Sequence, residues 1–371
     1  MKITFPHMGN VYIPLKTFFE SLDIQVVIPP ACSKRTMELG VKYSPEFACL
    51  PLKINIGNYI EALEMGADTI IMAGGIGPCR FGYYAEVQRE ILKDLGYFFE
   101  MIVLEPPQGH VMELINKLRS LIKKENRSIS KITYAAKFAW EKALVLDELD
   151  KMACKIRAKE VNPGDTDRVY KESIHLIDIA ETPEMLERAK MKINDLFESI
   201  QTDEDRTRPK IGIMGEIYTV LEPFVNLNIE KQLGDLGAFA YRSIYLTEWV
   251  RHNLFPRFLK PKQHEELLNL SKPYINCFVG GHGQESVAQA VKFSKEAFDG
   301  VIQLLPFTCM PEIVAKSVLP QVSKDYSIPV MTLVLDEHSG EAGVRTRLEA
   351  FVDMIKHNME VDELNEMLIR N

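Results

Sequence analysis

The sequence predicts an α/β protein made of two similar halves. Short apolar runs alternate with stretches of helical periodicity up to about residue 108, and the same alternation resumes at about residue 206. Such alternation is typical of a parallel sheet whose strands are joined by helices. The length of 371 residues also exceeds what a single hydrophobic core usually serves. We therefore expect an α/β domain at 1–108, a helical connecting region at 109–205 and a second α/β domain at 206–371.

Four apolar runs in the first half are predicted to form strands of one sheet, at 2–5, at 24–28, after Asp68, and at 98–104. Helical patterns separate them, at about 15–22, 57–65 and 83–95. Cys49 lies between the second and third runs, with Pro45 and Pro51 on either side, and prolines favour loops and helix ends. We therefore expect Cys49 in a fixed loop or a single helical turn rather than at a long helix.

The connecting region is charged and rich in helix-forming residues. Its apolar residues recur at helical spacing, as at Phe138, Leu144, Leu146, Leu149 and Met152. We predict several amphipathic helices here, packed on or between the two sheets. The polar segment 202–209 that follows is the best candidate for a domain boundary.

The second half repeats the pattern of the first. Strands are predicted at five places: from Lys210, near 238–241, just before Gly280, at 301–305, and at 329–335. Helical patterns occur at about 226–236 and 246–270, after Pro311, and from about Thr346. The chain is therefore expected to fold as two similar α/β halves that face each other.

The overall composition restricts the class of partner and the compartment. A net charge of −8 argues against nucleic acid, because phosphate binding requires a basic surface. No apolar run approaches the roughly 20 residues that span a bilayer, so we expect no membrane partner. The N-terminus starts directly with a strand pattern and lacks the apolar region of a signal peptide. We expect a cytoplasmic protein whose six cysteines are reduced and act as core residues, metal ligands or redox groups.

Three cysteines, Cys49, Cys79 and Cys309, lie in loops rich in proline or glycine. Cys79 and Cys309 directly follow predicted strands, and ligand sites in open α/β sheets lie at the carboxyl ends of strands. None belongs to a CxxC pair, which disfavours a zinc finger. Thiolates that meet in space could hold an iron–sulfur cluster, and three ligands would leave one iron open to water or substrate. The alternative is that all three are small, half-buried loop residues.

The other cysteines are expected to differ in role. Cys154 lies in an amphipathic helical pattern and Cys277 at the start of an apolar run, so we predict that both pack in cores. Cys32 ends a strand beside basic Lys34 and Arg35, which would lower its thiol pKa. It is a further candidate ligand.

Several polar residues near these cysteines are candidates for chemistry. Arg80 is placed to offset the negative charge of a thiolate-bound cluster, or else to pair with a surface carboxylate. His282 follows an apolar run, so it is a candidate acid or base, or a turn residue that bonds to backbone. Glu337 and His338 end the last strand, where loops often carry function, although neighbouring side chains there also suit a helix cap. We take His282, Glu337 and His338 as candidate catalytic residues.

Five longer segments carry a family resemblance: Ser44–Lys53, Gly77–Tyr83, Gly281–Ser286, Leu305–Glu312 and Asp336–Gly343. In these segments the chain resembles the 2-hydroxyacyl-CoA dehydratase/benzoyl-CoA reductase superfamily. More narrowly, it resembles the branch of acyl-CoA dehydratase activase-related (CoA protein activase-like) iron–sulfur proteins. The resemblance covers most of the chain and is weakest at about 110–200.

This resemblance implies a fold, a cofactor and a partner. The fold would be two flavodoxin-like, or Rossmann-like, parallel-sheet domains with additional helices between them. A [4Fe–4S] cluster, or a larger double-cubane cluster, would lie between the domains on Cys49, Cys79 and Cys309. The electron would come from an actin-like, ATP-dependent activator that has its own iron–sulfur cluster. Family dehydratases work as two subunits, so we expect a homo- or heterodimer.

Three functions follow from these observations. The first is an (R)-2-hydroxyacyl-CoA dehydratase-like lyase or an ATP-dependent reductase component. Such a protein would receive a low-potential electron under anaerobic conditions. It would use the electron to reduce or dehydrate a small molecule such as an acyl-CoA. The second is a non-catalytic protein that carries a cluster as an electron-transfer or scaffold partner of the activator. The third is a redox-inert α/β binding module with structural cysteines.

Overall fold

The computed structural model describes residues 1–75, 77–104, 128–205, 207–253 and 262–370, without the side chains of 262 and 362–370. Two four-stranded sheets, each with all strands parallel, form its framework. The predicted α/β class with two parallel-sheet domains is thereby confirmed. Within the described ranges, no helix combines the length and the apolar character needed to cross a bilayer. The predicted boundary at 108 lies outside the described residues.

The first sheet has the strand order β2-β1-β3-β4. Its strands are β1 (Lys2–Thr4), β2 (Gln25–Val26), β3 (Thr69–Ala73) and β4 (Glu100–Leu104). The helices of this half are α1 (Tyr12–Glu20), α2 (Lys34–Tyr43), α3 (Leu50–Glu64) and α4 (Tyr84–Asp94). An order in which the first strand lies between the second and the third is that of flavodoxin-like sheets.

Between the halves, residues 128–205 of the described chain contain three helices: α5 (Ile129–Arg157), α6 (Asp165–Asp178) and α7 (Pro183–Glu198). They share an apolar core to which Phe138, Val169 and Ile193 contribute, and Ile13 of α1 joins it from the first half. The apolar spacing in the sequence therefore predicted this helical region correctly. Cys154 lies on α5 and is 5% exposed, so its predicted core position is confirmed.

The second sheet repeats the topology of the first, with the order β6-β5-β7-β8. Its strands are β5 (Lys210–Gly215), β6 (Phe239–Arg242), β7 (Gly300–Pro306) and β8 (Val330–Leu335). Its helices are α8 (Ile217–Leu221), α9 (Ile229–Asp235), α10 (Leu246–Asn253), α11 (Lys262–Ser271), α12 (Gly283–Lys295), α13 (Met310–Tyr326) and α14 (Glu341–Arg370). Helix α5 contacts α1 in the first half and α9, α10 and β6 in the second.

Helix α3 is the element that joins the two α/β cores. Every residue from Leu50 to Leu63 is buried, including the polar ones. Leu50 and Ile54 pack in the core of the second sheet, whereas Ile56 and Tyr59 pack in that of the first. Burial on every side is expected of a helix in such an interior position, and among the buried polar residues of α3 Asn58 forms a hydrogen bond and Lys53 an ion pair there.

Two predictions about local structure were wrong. Cys49 is not in a loop or a single turn but is the N-cap of the 15-residue helix α3. Pro51 is compatible with this helix because the first turn has no intrahelical partner for its missing N–H group.

The apolar run before Gly280 was expected to be a strand, but residues 276–282 form an irregular loop. Cys277 is consequently exposed rather than in a core, and Phe278 is 60% exposed. The run is too short to compete with Gly280 and Gly281, which both adopt a positive φ.

Candidate functional site: three cysteines between the halves

Two of the three candidate cysteines occupy equivalent places in the two sheets. Cys79 follows β3, and Cys309 follows β7, which is the corresponding third strand of the second sheet. In each sheet the strand order reverses between the first and third strands, because the second strand lies on one side of the first and the third strand on the other. Ligands of open α/β sheets bind at this topological switch point. The repeated topology therefore presents one cysteine from each half at its binding edge.

All three cysteines lie at the start of a helix. Cys49 is the N-cap of α3, Cys309 is the N-cap of α13, and Cys79 is the N-cap of the 3-10 turn Arg80–Tyr83 that leads into α4. The exposed N–H groups and the dipole at a helix N-terminus favour negative charge. A thiolate, or an anionic group bound by thiolates, is stabilised at such a position.

Arg80 joins the loops that carry the three cysteines. Its guanidinium donates to the carbonyl oxygen of Phe47 over 2.9 Å and to the hydroxyl of Thr308 over 3.0 Å, and it also donates to the Thr308 carbonyl oxygen. The Thr308 hydroxyl in turn donates to the Phe47 carbonyl over 3.1 Å. Because Arg80 adjoins Cys79, one side chain links the segments before Cys49 and Cys309 to the third cysteine.

A glycine loop packs against Cys79. Gly280 has a φ of 85°, and a Cβ there would lie 2.7 Å from the backbone nitrogen of Cys79. A Cβ on Gly281 would lie 3.2 Å from Pro311 and 3.7 Å from the Cys79 sulfur. Only glycine permits this approach without displacing backbone. The loop therefore fits between Cys79 and the first turn of α13.

The three thiols share an electrostatic environment. Burial raises the pKa of Cys49, Cys79 and Cys309, and the carboxyl group of Glu216 raises all three further. Cys79 also raises the pKa of Cys49, and Cys49 raises that of Cys309, so the three sulfurs lie within reach of one another's charge. Glu216 is the N-cap of α8 and accepts the N–H groups of Tyr218 and Thr219 at 3.0 and 2.9 Å.

Glu312 is a second carboxyl group near the site, one turn after Cys309 on α13. It is 0% exposed. Its Oε1 accepts the Ser286 hydroxyl at 2.9 Å and its Oε2 accepts the Gln303 amide at 2.8 Å. Burial raises its pKa to about 7, although both hydrogen bonds lower it. Glu312 thus links the starts of α12 and α13 to β7.

Aromatic residues surround the cysteines. The hydroxyl of buried Tyr84 makes a short contact with the Cys49 sulfur, and burial raises the pKa of that hydroxyl well above its usual value. Phe47, Tyr83, Phe278 and Phe307 lie within a few residues of a cysteine or of the glycine loop, and each is more than half exposed. Exposed apolar groups concentrated around a site are typical of a surface that meets a partner.

The three candidate acid–base residues have different surroundings. His282 is the N-cap of α12, and its Nε2 lies 3.9 Å from Glu285. Burial and His264 lower the pKa of His282 to about 4, so its imidazole is neutral near pH 7. Glu337 forms an ion pair with Lys53 of α3 at 2.5 Å, and His338 is exposed. A catalytic role for these residues stays a prediction.

Cys32 lies with a different group of residues, where burial and the Glu222 carboxylate raise the pKa of its thiol to about 12. The lowering of this pKa that was expected from Lys34 and Arg35 is therefore wrong. The Cys32 sulfur is 3.9 Å from Nδ1 of His7 and contacts Asn58 and Tyr218 at 3.5 and 3.8 Å. His7 Nδ1 is 3.0 Å from Oε2 of Glu222. Within the described part of the chain, one group of three His, Cys, Asp or Glu side chains places its donor atoms within 4.8 Å of one another, and it is His7, Cys32 and Glu222.

The residues around Cys49, Cys79 and Cys309 fit an iron–sulfur cluster in their chemistry. Thiolates are the usual ligands of such clusters, and all six cysteines of the chain are free. Three helix N-termini and Arg80 favour an anionic cluster here, whereas the carboxyl groups of Glu216 and Glu312 oppose it. The raised thiol pKa values mean that iron binding would displace protons, as is usual for thiolate ligands.

Sequence reasoning missed Tyr84, Glu216 and Glu312 as parts of this site. A tyrosine in a helical pattern, such as Tyr84, resembles a packing residue, and a carboxylate after a strand, such as Glu216, resembles an ordinary helix cap. Glu216 does cap α8, so its position at the start of a helical pattern indicated the cap and gave no sign of its nearness to the cysteines. Glu222 and His7 were missed for the other group.

The comparisons with known proteins concern the N-terminal part of the chain. Residues 7–73 match a family model described as CoA enzyme activase uncharacterised domain (DUF2229). No curated protein was found to match the chain. The matched segment includes Cys32 and Cys49, whereas Cys79 and Cys309 lie outside it. The match agrees with the activase-related branch expected from the motifs and does not extend to the dehydratase superfamily as a whole. Over this segment, the first α/β half is similar to a CoA enzyme activase domain.

Proposed function

We propose that this chain is an iron–sulfur protein of an acyl-CoA dehydratase system, which receives an ATP-driven, low-potential electron and uses it to reduce or dehydrate a small molecule. The observation that carries the proposal is the arrangement of Cys49, Cys79 and Cys309. They come from both halves, each starts a helix, and Arg80 ties their loops together. A purely structural role for three loop cysteines does not require that arrangement.

Cys49, Cys79 and Cys309 would hold a [4Fe–4S] cluster or a larger double-cubane cluster, which supplies one-electron transfer at low potential when bound. The surrounding residues stabilise negative charge there, through Arg80 and the three helix N-termini. Cys49 and Cys309 are 8% and 6% exposed, so the protein keeps water away from most of the site. Low exposure and hydrogen bonding are among the factors that set a cluster's potential.

We infer the partner and the substrate class from the similarity of residues 7–73 to a CoA enzyme activase domain. The partner would be an ATP-dependent iron–sulfur activator, and the substrate an acyl-CoA or another small reducible molecule. The exposed rings of Phe47, Tyr83, Phe278 and Phe307 form a suitable surface for such a partner. We assign the protein to the cytoplasm, because six free thiols persist best in a reducing compartment.

A second function is an electron carrier or scaffold that has the same cluster but no turnover of its own. The different surroundings of His282, Glu337 and His338 favour this alternative, since Glu337 is already engaged by Lys53. Both functions need the cluster, and they differ in whether the chain converts a substrate.

The first experiment tests the cluster. Protein purified without oxygen should be coloured and contain iron and acid-labile sulfide, and Cys309→Ala should lose most of both. Cys277→Ala is the matched control, because Cys277 is a free but exposed cysteine and its replacement should leave the iron content unchanged. A colourless, iron-free wild-type protein would refute the proposal.

The second experiment separates the two functions. The reduced activator and ATP are supplied together with CoA thioesters, and both cluster reduction and product are measured. ATP-dependent reduction of the cluster with product formation supports the catalytic function. Reduction without product from any thioester tested supports the electron carrier.

A further inference from the structure

A second group of metal-ligand side chains lies across the boundary between the two halves. His7 follows β1, and Cys32 precedes α2, so both belong to the first half. Glu222 follows α8 in the second half. Their donor atoms all lie within 4.8 Å of one another, although the residues are up to 215 positions apart in sequence.

These side chains are nearly shielded from water. His7, Cys32 and Glu222 are 8%, 9% and 2% exposed. Burying a carboxylate, an imidazole and a thiol together is costly unless each is paired or bound to a metal. Glu222 Oε2 also accepts the N–H group of Gly9 at 2.7 Å, which holds the carboxylate in place.

The arrangement of Cys32, His7 and Glu222 differs from that of a catalytic triad, in which a nucleophile, a base and an acid are hydrogen-bonded in a row. Such a triad places the thiol at one ring nitrogen and the carboxylate at the other. Here both Cys32 Sγ and Glu222 Oε2 lie nearest the same atom, Nδ1 of His7, at 3.9 and 3.0 Å. Three lone-pair donors that converge on one point are the arrangement of a metal site.

We propose that His7 Nδ1, Cys32 Sγ and Glu222 Oε2 bind one zinc ion that ties the two α/β halves together. A thiolate, an imidazole and a carboxylate form a borderline-soft ligand set, which suits zinc and is unsuited to magnesium or calcium. Tetrahedral zinc would hold N and O about 3.4 Å apart and S and N about 3.6 Å apart, given its usual bond lengths. For these two pairs the observed 3.0 and 3.9 Å need shifts of a few tenths of an ångström, and the Cys32 sulfur lies within 4.8 Å of the Glu222 oxygen.

Neighbouring side chains hold the proposed ligand residues in place by hydrogen bonds. Asn58 accepts the His7 backbone N–H at 3.2 Å and donates to the Cys32 sulfur at 3.5 Å, so it fixes two of the three ligand residues relative to each other. Tyr218, from the second half, donates its hydroxyl to the His7 carbonyl at 2.6 Å. A cavity of about 360 Å³ lies next to the site and is lined by Gly9, Leu221 and Pro223, although none of the three ligand residues lines it.

The test measures zinc in full-length protein made in zinc-supplemented medium and purified without chelators. Wild type should contain about one zinc per chain, and Cys32→Ser or Glu222→Gln should reduce this to about a tenth. Glu222→Gln is isosteric and can still accept the Gly9 N–H, so it serves if Cys32→Ser folds poorly. Removing zinc should lower the thermal midpoint of wild type by several degrees, and adding zinc back should restore it.

Controls exclude zinc bound to the other thiols. Cys309→Ala and Cys154→Ala should retain zinc, since neither residue belongs to this group. Cobalt loaded in place of zinc should show a sulfur-to-metal charge-transfer band that disappears in Cys32→Ser and persists in Cys309→Ala. Zinc that is lost with Cys309 but kept without Cys32 would overturn the proposal, as would wild-type protein that takes up neither metal. Because iron is measured in the same samples, the outcome is independent of the proposed cluster.

Discussion

Arg80 shows how much one exposed side chain can determine in this protein. It was expected either to offset cluster charge or to pair with a surface carboxylate, but its described hydrogen bonds go to the Phe47 carbonyl and to Thr308. Those acceptors lie just before Cys49 and Cys309. The guanidinium therefore acts on the position of the thiols as well as on their charge, and a planar fork of donors suits that task.

Replacing Arg80 with Gln should loosen the three cysteine loops. Hydrogen bonds from a charged donor are worth about 1.5–3 kcal/mol, and exposure reduces this, so we expect roughly tenfold faster loss of iron. The rate is measured as iron captured by a ferrous chelator from anaerobic protein. Arg89→Gln is the control, because Arg89 also lies in this region but pairs on the surface with Glu86 of the same helix. Equal release rates for the two variants would contradict the role given to Arg80.

Glu312 should make stability depend on pH. Burial raises its pKa from 4.5 to about 7, so between these values the folded chain binds more protons than the unfolded chain. The stability contributed by its protonated form is thus complete below about pH 4.5 and lost as pH rises to 7. Glu312→Gln stays neutral and can keep the hydrogen bonds to Ser286 and Gln303.

We therefore expect Glu312→Gln to gain stability over wild type by about 3 kcal/mol between pH 4.5 and pH 8. Urea unfolding at both pH values, on samples with the same iron content, measures the difference. A constant difference across this range would mean that Glu312 does not titrate as described.

Among the elements, the pair α2 and α3 sets the spacing on which the site depends. A Cβ on Gly40 would lie 1.9 Å from the Lys53 carbonyl oxygen, and one on Gly57 would lie 2.0 Å from that of Thr36. The two helices therefore cross with their backbones nearly in contact. Because Cys49 starts α3 and Cys32 closely precedes α2, this crossing fixes the relative position of both candidate metal sites.

Gly40→Ala should force α2 and α3 apart. Overpacking of this kind costs about 1–3 kcal/mol, and here the obstacle is backbone, so we expect a value near the upper end. The free energy of unfolding in urea measures it. Gly343→Ala is the matched control in helix α14, since a Cβ there meets nothing within 4 Å. That variant should be neutral or slightly stabilised, because Ala has the higher helix propensity. If both variants behaved alike, the close crossing would be in doubt.

At the scale of the whole molecule, the two halves are joined by contacts that neither makes alone. Helix α3 supplies apolar residues to both sheets, and α5 packs on both halves. Lys53 of α3, whose side chain is 3% exposed, pairs with Glu337 after β8. This ion pair spans 284 positions of sequence. It gives Glu337 a structural role that can be tested separately from the predicted catalytic one.

Breaking this pair should have unequal effects. Glu337→Gln leaves the Lys53 charge buried without its partner, which costs about 3 kcal/mol or more. Lys53→Met removes the buried charge and leaves Glu337 partly hydrated, so it should cost less. The double variant should recover most of the loss, as a double-mutant cycle of unfolding free energies would show. Turnover lost in Glu337→Gln with stability unchanged would instead favour a catalytic Glu337.

The two parallel sheets, the helical middle region and the buried Cys154 could all be predicted from the order of apolar runs and their periodicity. These features depend on local pattern, because strand and helix periods are written into neighbouring residues. The placement of Cys79 and Cys309 after strands was local information of the same kind. The long helix at Cys49 and the loop at Cys277 were mispredicted, since proline and glycine signals act within one or two residues of a boundary.

The partners of each side chain could not be predicted in this way. The residues in these contacts lie far apart in sequence, by 33 to 284 positions. The contacts are Arg80 with Phe47 and Thr308, Lys53 with Glu337, and His7 with Glu222. Such contacts arise only when two sheets of the same topology pack around α3, and no local preference encodes that packing. The sequence thus sufficed for most of the elements and for placing Cys79 and Cys309 directly after strands. The folded chain was needed to bring those cysteines around one guanidinium and to assign Cys32 to a separate group with His7 and Glu222.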